Sequence, residues 1–219
     1  MVGSLLLAWQ VKDKPALVVG GGEVAKSRIE HLQRAEAKIT VIADSFDSDV
    51  RSISNIQLIE RKFQTSDLDS QSWDLVLTAI DDREVSAHIY SACRERKIPV
   101  NCADIPDKCN FYFGSMINRG PLQVMISTNG EAPRLAKRIR KVLEENVDEL
   151  QVEDAILNMG KLRQLVRQKT TDADSGSGYD KATIRKRMRW VSEICDGMTF
   201  QQMAQLTDND IEEIVAQYA

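Results

Sequence analysis

The stretch Val18-Val19-Gly20-Gly21-Gly22-Glu23-Val24-Ala25 narrows the possible folds more than any other part of this chain. Before it, ALVVG at 16–20 is continuously hydrophobic, as a strand is when helices cover both faces of a parallel sheet. After it, residues 23–35 are long enough for a crossover helix. At such a junction Gly20 permits the tight turn, Gly22 leaves backbone room for a pyrophosphate, and Ala25 is small enough for the helix to pack closely on the sheet. Backbone amides and the positive helix end hold an anion there without help from a basic side chain. Glycine-rich turns also occur without a ligand, but the flanking strand and helix favour a dinucleotide site at Gly20, Gly22, Glu23 and Val24.

The same rhythm continues. AKITVIA at 37–43, IQLIE at 56–60, DLVLTAI at 74–80 and IPVNCA at 98–103 read as further strands, and 83–96 as a second crossover helix. The expected fold class is α/β, with an N-terminal Rossmann-like parallel sheet. Past Asp104 the pattern changes. FYFGSMI at 111–117 and LQVMIST at 122–128 flank Asn118-Arg119-Gly120-Pro121, which predicts a β-hairpin with Gly120 at positive φ. Pro133 falls in the first turn of a helix over 134–145. A second helix is expected over 147–168, with Val152, Ile156, Met159 and Leu162 on one face. TTDADSGSG at 170–178 reads as a flexible loop, and short helices follow around 182–195, 199–206 and 209–218.

Composition limits the function classes. The 219 residues, 42% hydrophobic, suffice for one ordinary domain plus an appendage or for two small domains. A formal net charge of -4 argues against a general nucleic-acid coat. No apolar run approaches the ~20 residues of a bilayer-spanning helix, and 1–15 carry neither a basic leader nor a long hydrophobic stretch. Cys93, Cys102, Cys109 and Cys195 form no CxxC pair, which fits a reducing cytosol, so the expected location is cytoplasmic. His31 and His88 fall in different helices and share no obvious site with Cys102 and Cys109, so no resident metal is expected.

Candidate residues gather at predicted strand ends. Asp44, with Ser45 beside it, ends the second strand about 20 residues beyond the glycine turn, where a carboxylate accepts ribose hydroxyls and repels the extra phosphate of NADP. NAD is therefore expected over NADP, with a solvated turn as the alternative reading of Asp44. Small Ala79 would admit the cofactor, and Asp81-Asp82 reads as a helix cap. Asp104, in NCADIPD at 101–107, stands where the fifth strand runs out, and Pro106 restrains its turn. It is either a proton-transfer group or a turn-forming cap. Two basic sets, Arg134, Lys137, Arg138, Arg140, Lys141 and Lys181, Arg185, Lys186, Arg187, Arg189, are either solvated helix surface or contacts for a polyanionic small molecule.

On VVGGGEVA at 18–25, NCADIPDKCNFYFG at 101–114, LQVMISTNGEAPRLAKRIR at 122–140 and EDAILNMGKLRQLVR at 153–167, the chain resembles the siroheme synthase family. It looks most like the fungal stand-alone bifunctional precorrin-2 dehydrogenase/sirohydrochlorin ferrochelatase. The glycine turn is generic; NCADIPD, CNFYFG and STNGEAPR together are specific. The resemblance implies an NAD-binding domain at 1–110, a dimerisation region at 111–146 and a helical domain at 147–219, assembled as a homodimer. It implies that Gly22, Glu23, Val24, Asp44 and Ser45 line the nucleotide site and that Asp104 serves both reactions. Precorrin-2 is then oxidised to sirohydrochlorin, which receives ferrous iron as substrate. Thr128 stands where bacterial fused enzymes can carry a serine. Two other readings remain open: a dehydrogenase without chelatase activity, and a noncatalytic NAD sensor.

Overall fold

The computed structural model describes residues 3–172 and 180–218. These form two compact units, Gly3–Phe113 and Gly114–Ala219. The first is a parallel five-stranded sheet built from β1 (Pro15–Val19), β2 (Lys38–Ala43), β3 (Gln57–Glu60), β4 (Leu75–Thr78) and β5 (Val100–Cys102), in the order β3-β2-β1-β4-β5. Helices α1 (Glu23–Arg34), α2 (Ser48–Arg51) and α3 (Arg83–Glu95) connect the strands. Alternate residues of one strand feed opposite faces. Ala16 and Val18 pack with Ala25, Ile29 and Leu32 of α1, while Leu17 and Val19 pack with Ile89, Ala92 and Cys93 of α3. Burial on both faces is why the strand sequences are unbroken apolar runs. Each fully buried Leu or Ile contributes about 1.5–3 kcal/mol.

All five expected strands are present, and both crossover helices end one residue short of expectation, where Ala35 and Arg96 serve as C-caps. Helix α2 and a single 3₁₀ turn at Thr65–Asp69 were not foreseen, being too short to show a period. That turn holds a buried carboxylate, Asp67, gripped by Arg61 at 2.8 and 2.6 Å while the Asp67 carbonyl accepts from Trp73 Nε1 at 2.9 Å.

In the second unit β6 (Ser115–Arg119) and β7 (Leu122–Ile126) form the expected antiparallel hairpin, with Gly120 at φ 51°. The strand begins later than FYFGSMI suggested, because Phe111 and Phe113 pack instead against the apolar cluster over α1 in the first unit. Helix α4 (Pro133–Glu149) has Pro133 in its first turn. It runs past the expected end at 145, since nothing in Glu145-Asn146-Val147-Asp148-Glu149 breaks a helix, and stops where Gln151 turns to φ 50°. Helix α5 (Val152–Asp172) buries Val152, Ala155, Leu162 and Val166, whereas Ile156 is exposed, a correction to the predicted face. It also absorbs 170–172 of the expected loop, where the Thr170 hydroxyl donates to the Val166 carbonyl at 3.0 Å. The remainder of that loop, 173–178, lies outside the described residues.

Helices α6 (Lys181–Asp196), α7 (Phe200–Ala204) and α8 (Asp208–Ala216) complete the helical bundle. Asp180, Thr199 and Thr207 cap their first turns with side-chain oxygens. Asn158 Nδ2 donates to the carbonyls of Met203, Ala204 and Leu206, and Lys169 Nζ to those of Val215, Ala216 and Tyr218, so α5 ties down the ends of α7 and α8. Among the described residues no helix is long and apolar enough to cross a membrane.

Candidate active site at the carboxyl edge of the parallel sheet

Strand β1 is flanked by β2 and β4, and the helices that follow β1 and β4 cover opposite faces of the sheet, α1 on one and α3 on the other. The carboxyl ends of β1 and β4 therefore diverge into a crevice, the place where open α/β sheets bind ligands. The glycine turn lines it, and its three glycines do different work. Gly20 sits at φ 130°, and a Cβ there would lie 2.1 Å from the Ala79 carbonyl oxygen. At Gly21 a Cβ would lie 2.0 Å from the Ser45 oxygen, and the Gly21 carbonyl accepts from Asp47 N–H at 2.9 Å. The fold itself requires both. At Gly22 the nearest atom to a Cβ is Asp47 Oδ2 at 3.7 Å, and φ is an ordinary -99°. No described atom demands glycine there, and the open space leaves room for a ligand to approach the backbone.

Gly22 is also the N-cap of α1, and no side chain caps that helix. By contrast, Asp82 accepts the Glu84 and Val85 amides at the start of α3, which bears out the helix-cap reading of Asp81-Asp82. The first-turn amides of α1, behind Gly22, Glu23 and Val24, are thus left for an anion, and the positive helix end favours one. This uncapped start beside open space fits a dinucleotide pyrophosphate.

The loop after β2 carries Asp44 and Ser45, both exposed, and the close approach of Ser45 to Gly21 brings them beside the turn. Ala79 continues β4 and donates its amide to the Val19 carbonyl at 2.7 Å, putting a small side chain next to Gly20. Strand β5 pairs with β4 through Thr78 and Cys102, and Ala103 N–H bonds the Thr78 carbonyl at 2.9 Å. Asp104 therefore emerges on the same edge. All the sequence-predicted site residues, Gly20, Gly22, Glu23, Val24, Asp44, Ser45, Ala79 and Asp104, lie in one unit on this edge.

Asp104 occupies the left-handed region at φ 58°, in a turn closed by Ile105 N–H on the Cys102 carbonyl at 3.3 Å, and Pro106 opens the following 3₁₀ turn. Asp is among the few residues that enter this region readily, at some cost in strain. Its carboxylate is exposed and accepts no hydrogen bond among the described residues. Nearby thiols offer no competing proton acceptor. Burial pushes Cys93 up to about 12 and raises Cys102 and Cys109, and Cys109 Sγ donates to the Cys102 and Ile105 carbonyls at 3.2 and 3.4 Å.

Sequence reasoning missed two polar neighbours, Arg28 and Asn101. Asn101 is buried, bonding Phe111 O at 2.8 Å through Nδ2 and leaving Oδ1 without a partner; Arg28 Nε is likewise buried and unpartnered. Arg28 looked like one basic residue on a helix, and only the return of 109–113 along β5 brings it to the site. Three members of the two basic sets have partners among the described residues. Arg140 pairs with Glu144, Arg187 donates to Thr170 Oγ1 and Lys186 lies over the Tyr218 ring. Thr128 Oγ1 accepts the Ala132 amide ahead of α4. Among the described residues no group of three or more His, Cys, Asp or Glu is arranged to hold a metal ion.

Sheet order, crevice and uncapped glycine turn define a dinucleotide-binding protein, and a family model for NAD(P)-binding domains matches residues 7–115. Models for the central and C-terminal parts of sirohaem biosynthesis proteins match 119–146 and 150–219. A siroheme biosynthesis protein of Schizosaccharomyces pombe is 40% identical over 99% of this chain and 80% of its own length. Its counterpart in Saccharomyces cerevisiae, also a siroheme biosynthesis protein, is 31% identical, over 90% and 84%. The chain belongs to this siroheme biosynthesis family. A bacterial siroheme synthase from Thioalkalivibrio sulfidiphilus, 38% identical, is matched over 62% of this chain but only 28% of that protein. The solved structure of SirC, a precorrin-2 dehydrogenase, shares the fold with a TM-score of 0.69 at 24% identity over 98% of both chains.

Proposed function

We propose that this chain oxidises precorrin-2 to sirohydrochlorin with NAD and then inserts ferrous iron to give siroheme. The observation that carries the reading is the meeting, on one sheet edge, of a cradle fit for a dinucleotide with the carboxylate of Asp104, which accepts no hydrogen bond among the described residues. A noncatalytic NAD sensor has no use for a strained, unpaired Asp104 beside the nicotinamide end of the crevice. When bound, NAD supplies the hydride acceptor. Gly20 holds the turn, Gly22 and the first amides of α1 hold the pyrophosphate, and Asp44 with Ser45 meets the adenosine ribose. Asp104 accepts the proton that leaves precorrin-2 with the hydride. In the second reaction iron enters as two pyrrolic protons depart, and the same carboxylate receives protons and passes them to solvent. Equal yields of NADH and sirohydrochlorin from precorrin-2 under anaerobic conditions test the first step; NADH formation without the tetrapyrrole product would reject it.

Asp44 supports NAD over NADP. Asp44→Ala is expected to weaken NAD about tenfold at most, by loss of ribose hydrogen bonds, and to narrow the gap between NAD and NADP. Calorimetric titration with both cofactors reads this directly, and an unchanged preference would remove Asp44 from recognition.

The division into a nucleotide domain at 1–110, a dimerisation region at 111–146 and a helical domain at 147–219 belongs to the same reading, as does a cytoplasmic location. Helix α4 supports pairing, because Leu135, Ile139, Val142 and Leu143 form a stripe that is 38–60% exposed. Sedimentation equilibrium at several concentrations is expected to return a dimer; a monomer throughout would contradict the assembly.

A further inference from the structure

Several arginines meet a carboxylate at hydrogen-bond distance: Arg61 binds Asp67, Arg96 binds Asp69, Arg119 binds Asp148 and Glu144, and Arg140 binds Glu144. Arg28 does not. It projects from α1 at the position before buried Ile29, and its guanidinium lies 4.4 Å from the centroid of the Phe113 ring. Phe113 in turn meets Phe111 edge-on at 5.8 Å and His31 at 5.2 Å, so a cluster of rings holds the guanidinium from one side. Nε is buried with no acceptor, and no ion pair or hydrogen bond reaches the group among the described residues. Burial pushes its pKa below the ordinary arginine value, while the Asp104 carboxylate acts in the opposite direction. A guanidinium stays protonated in proteins, so a charged, partly desolvated fork with five donors, coupled electrostatically to Asp104, has no hydrogen-bond acceptor among the described residues.

We infer that Arg28 binds a carboxylate of the tetrapyrrole and so sets its pose against Asp104. Precorrin-2 and sirohydrochlorin carry acetate and propionate groups around their rims, and a fork stacked on an aromatic ring matches a carboxylate in geometry and charge. The cofactor is a poorer match for this group. Arg28 lies six residues along α1 from Gly22, about 9 Å down the helix axis from the turn that receives the pyrophosphate. The inference rests on the proposed reaction and assigns its substrate a contact that neither the glycine turn nor Asp104 supplies.

The test compares wild type, Arg28→Met, Arg28→Gln and Arg28→Lys. Sirohydrochlorin binding is followed by spectral titration, NAD binding by calorimetry, and precorrin-2 oxidation by its KM and kcat. Arg28→Met and Arg28→Gln are expected to weaken sirohydrochlorin binding about tenfold or more and to raise the KM for precorrin-2 in proportion, with NAD affinity unchanged. Arg28→Lys, a point charge without the fork, should recover part of the loss. Either neutral variant suffices should the other fail to fold. Wild-type sirohydrochlorin affinity in a folded neutral variant, or a parallel loss of NAD affinity, would overturn the role of Arg28. A wild type that neither binds sirohydrochlorin nor oxidises precorrin-2 would instead overturn the reaction on which it rests.

Discussion

Asp104→Asn is expected to slow precorrin-2 oxidation by about a hundredfold or more while leaving the fold and NAD affinity intact. The substitution suits the site. Asparagine enters the left-handed region as readily as aspartate, so the turn at φ 58° survives. The carboxylate accepts no hydrogen bond among the described residues, so no internal hydrogen bond is lost. What disappears is the capacity to take a proton at neutral pH. Because that capacity acts on the chemical step, the loss should fall on kcat rather than on KM. Chelation must be measured separately with sirohydrochlorin supplied, since failed oxidation would starve the second reaction. Wild-type rates in both assays would reject Asp104 as the shared group. Loss of oxidation with normal iron insertion would divide the two roles and leave iron insertion to solvent or to another side chain.

Gly22→Asp is expected to abolish useful NAD binding, by about a hundredfold or more, without harming the protein. Backbone and space both permit the change, since φ is -99° and the nearest atom to a new Cβ is 3.7 Å away. Aspartate is moreover a good N-cap, able to bond the free amides of α1, so thermal stability should hold or rise slightly. The same carboxylate would occupy the place of the pyrophosphate and repel it. Opposite movements of stability and affinity separate a binding glycine from a structural one. Gly20 and Gly21 have no such freedom, as Cβ atoms there would lie about 2 Å from backbone oxygens. Calorimetry on the folded variant decides the matter, and unchanged NAD affinity would move the pyrophosphate elsewhere.

Most of the first unit was readable from sequence for a physical reason. A strand buried on both faces must be apolar throughout, so five strands and their two long crossovers announce themselves in ALVVG, AKITVIA and their successors. Glycine at 20 and a small residue at 25 were legible because the turn and the helix packing there depend on size and backbone approach. Boundaries in the second unit were less legible. Helix propensity alone could not place the break at Leu150-Gln151, and the face of α5 depends on α7 and α8, which pack on it from far along the chain. Arg28 and Asn101 were invisible for a similar reason. Their significance arises when Cys109 bridges back to Asn101 and Phe113 settles over α1, contacts that join residues separated by up to most of the unit.

The most direct measurement of the central claim is a single anaerobic experiment on the wild-type chain. Precorrin-2 and NAD are added first, spectra are followed until the tetrapyrrole change stops, and ferrous iron is then supplied. The account predicts sirohydrochlorin appearing in step with NADH, followed by its conversion to siroheme faster than in a control lacking the protein. Sirohydrochlorin that accumulates and takes up iron no faster than that control would contradict the bifunctional reading, and absence of the first spectral change would contradict the account as a whole.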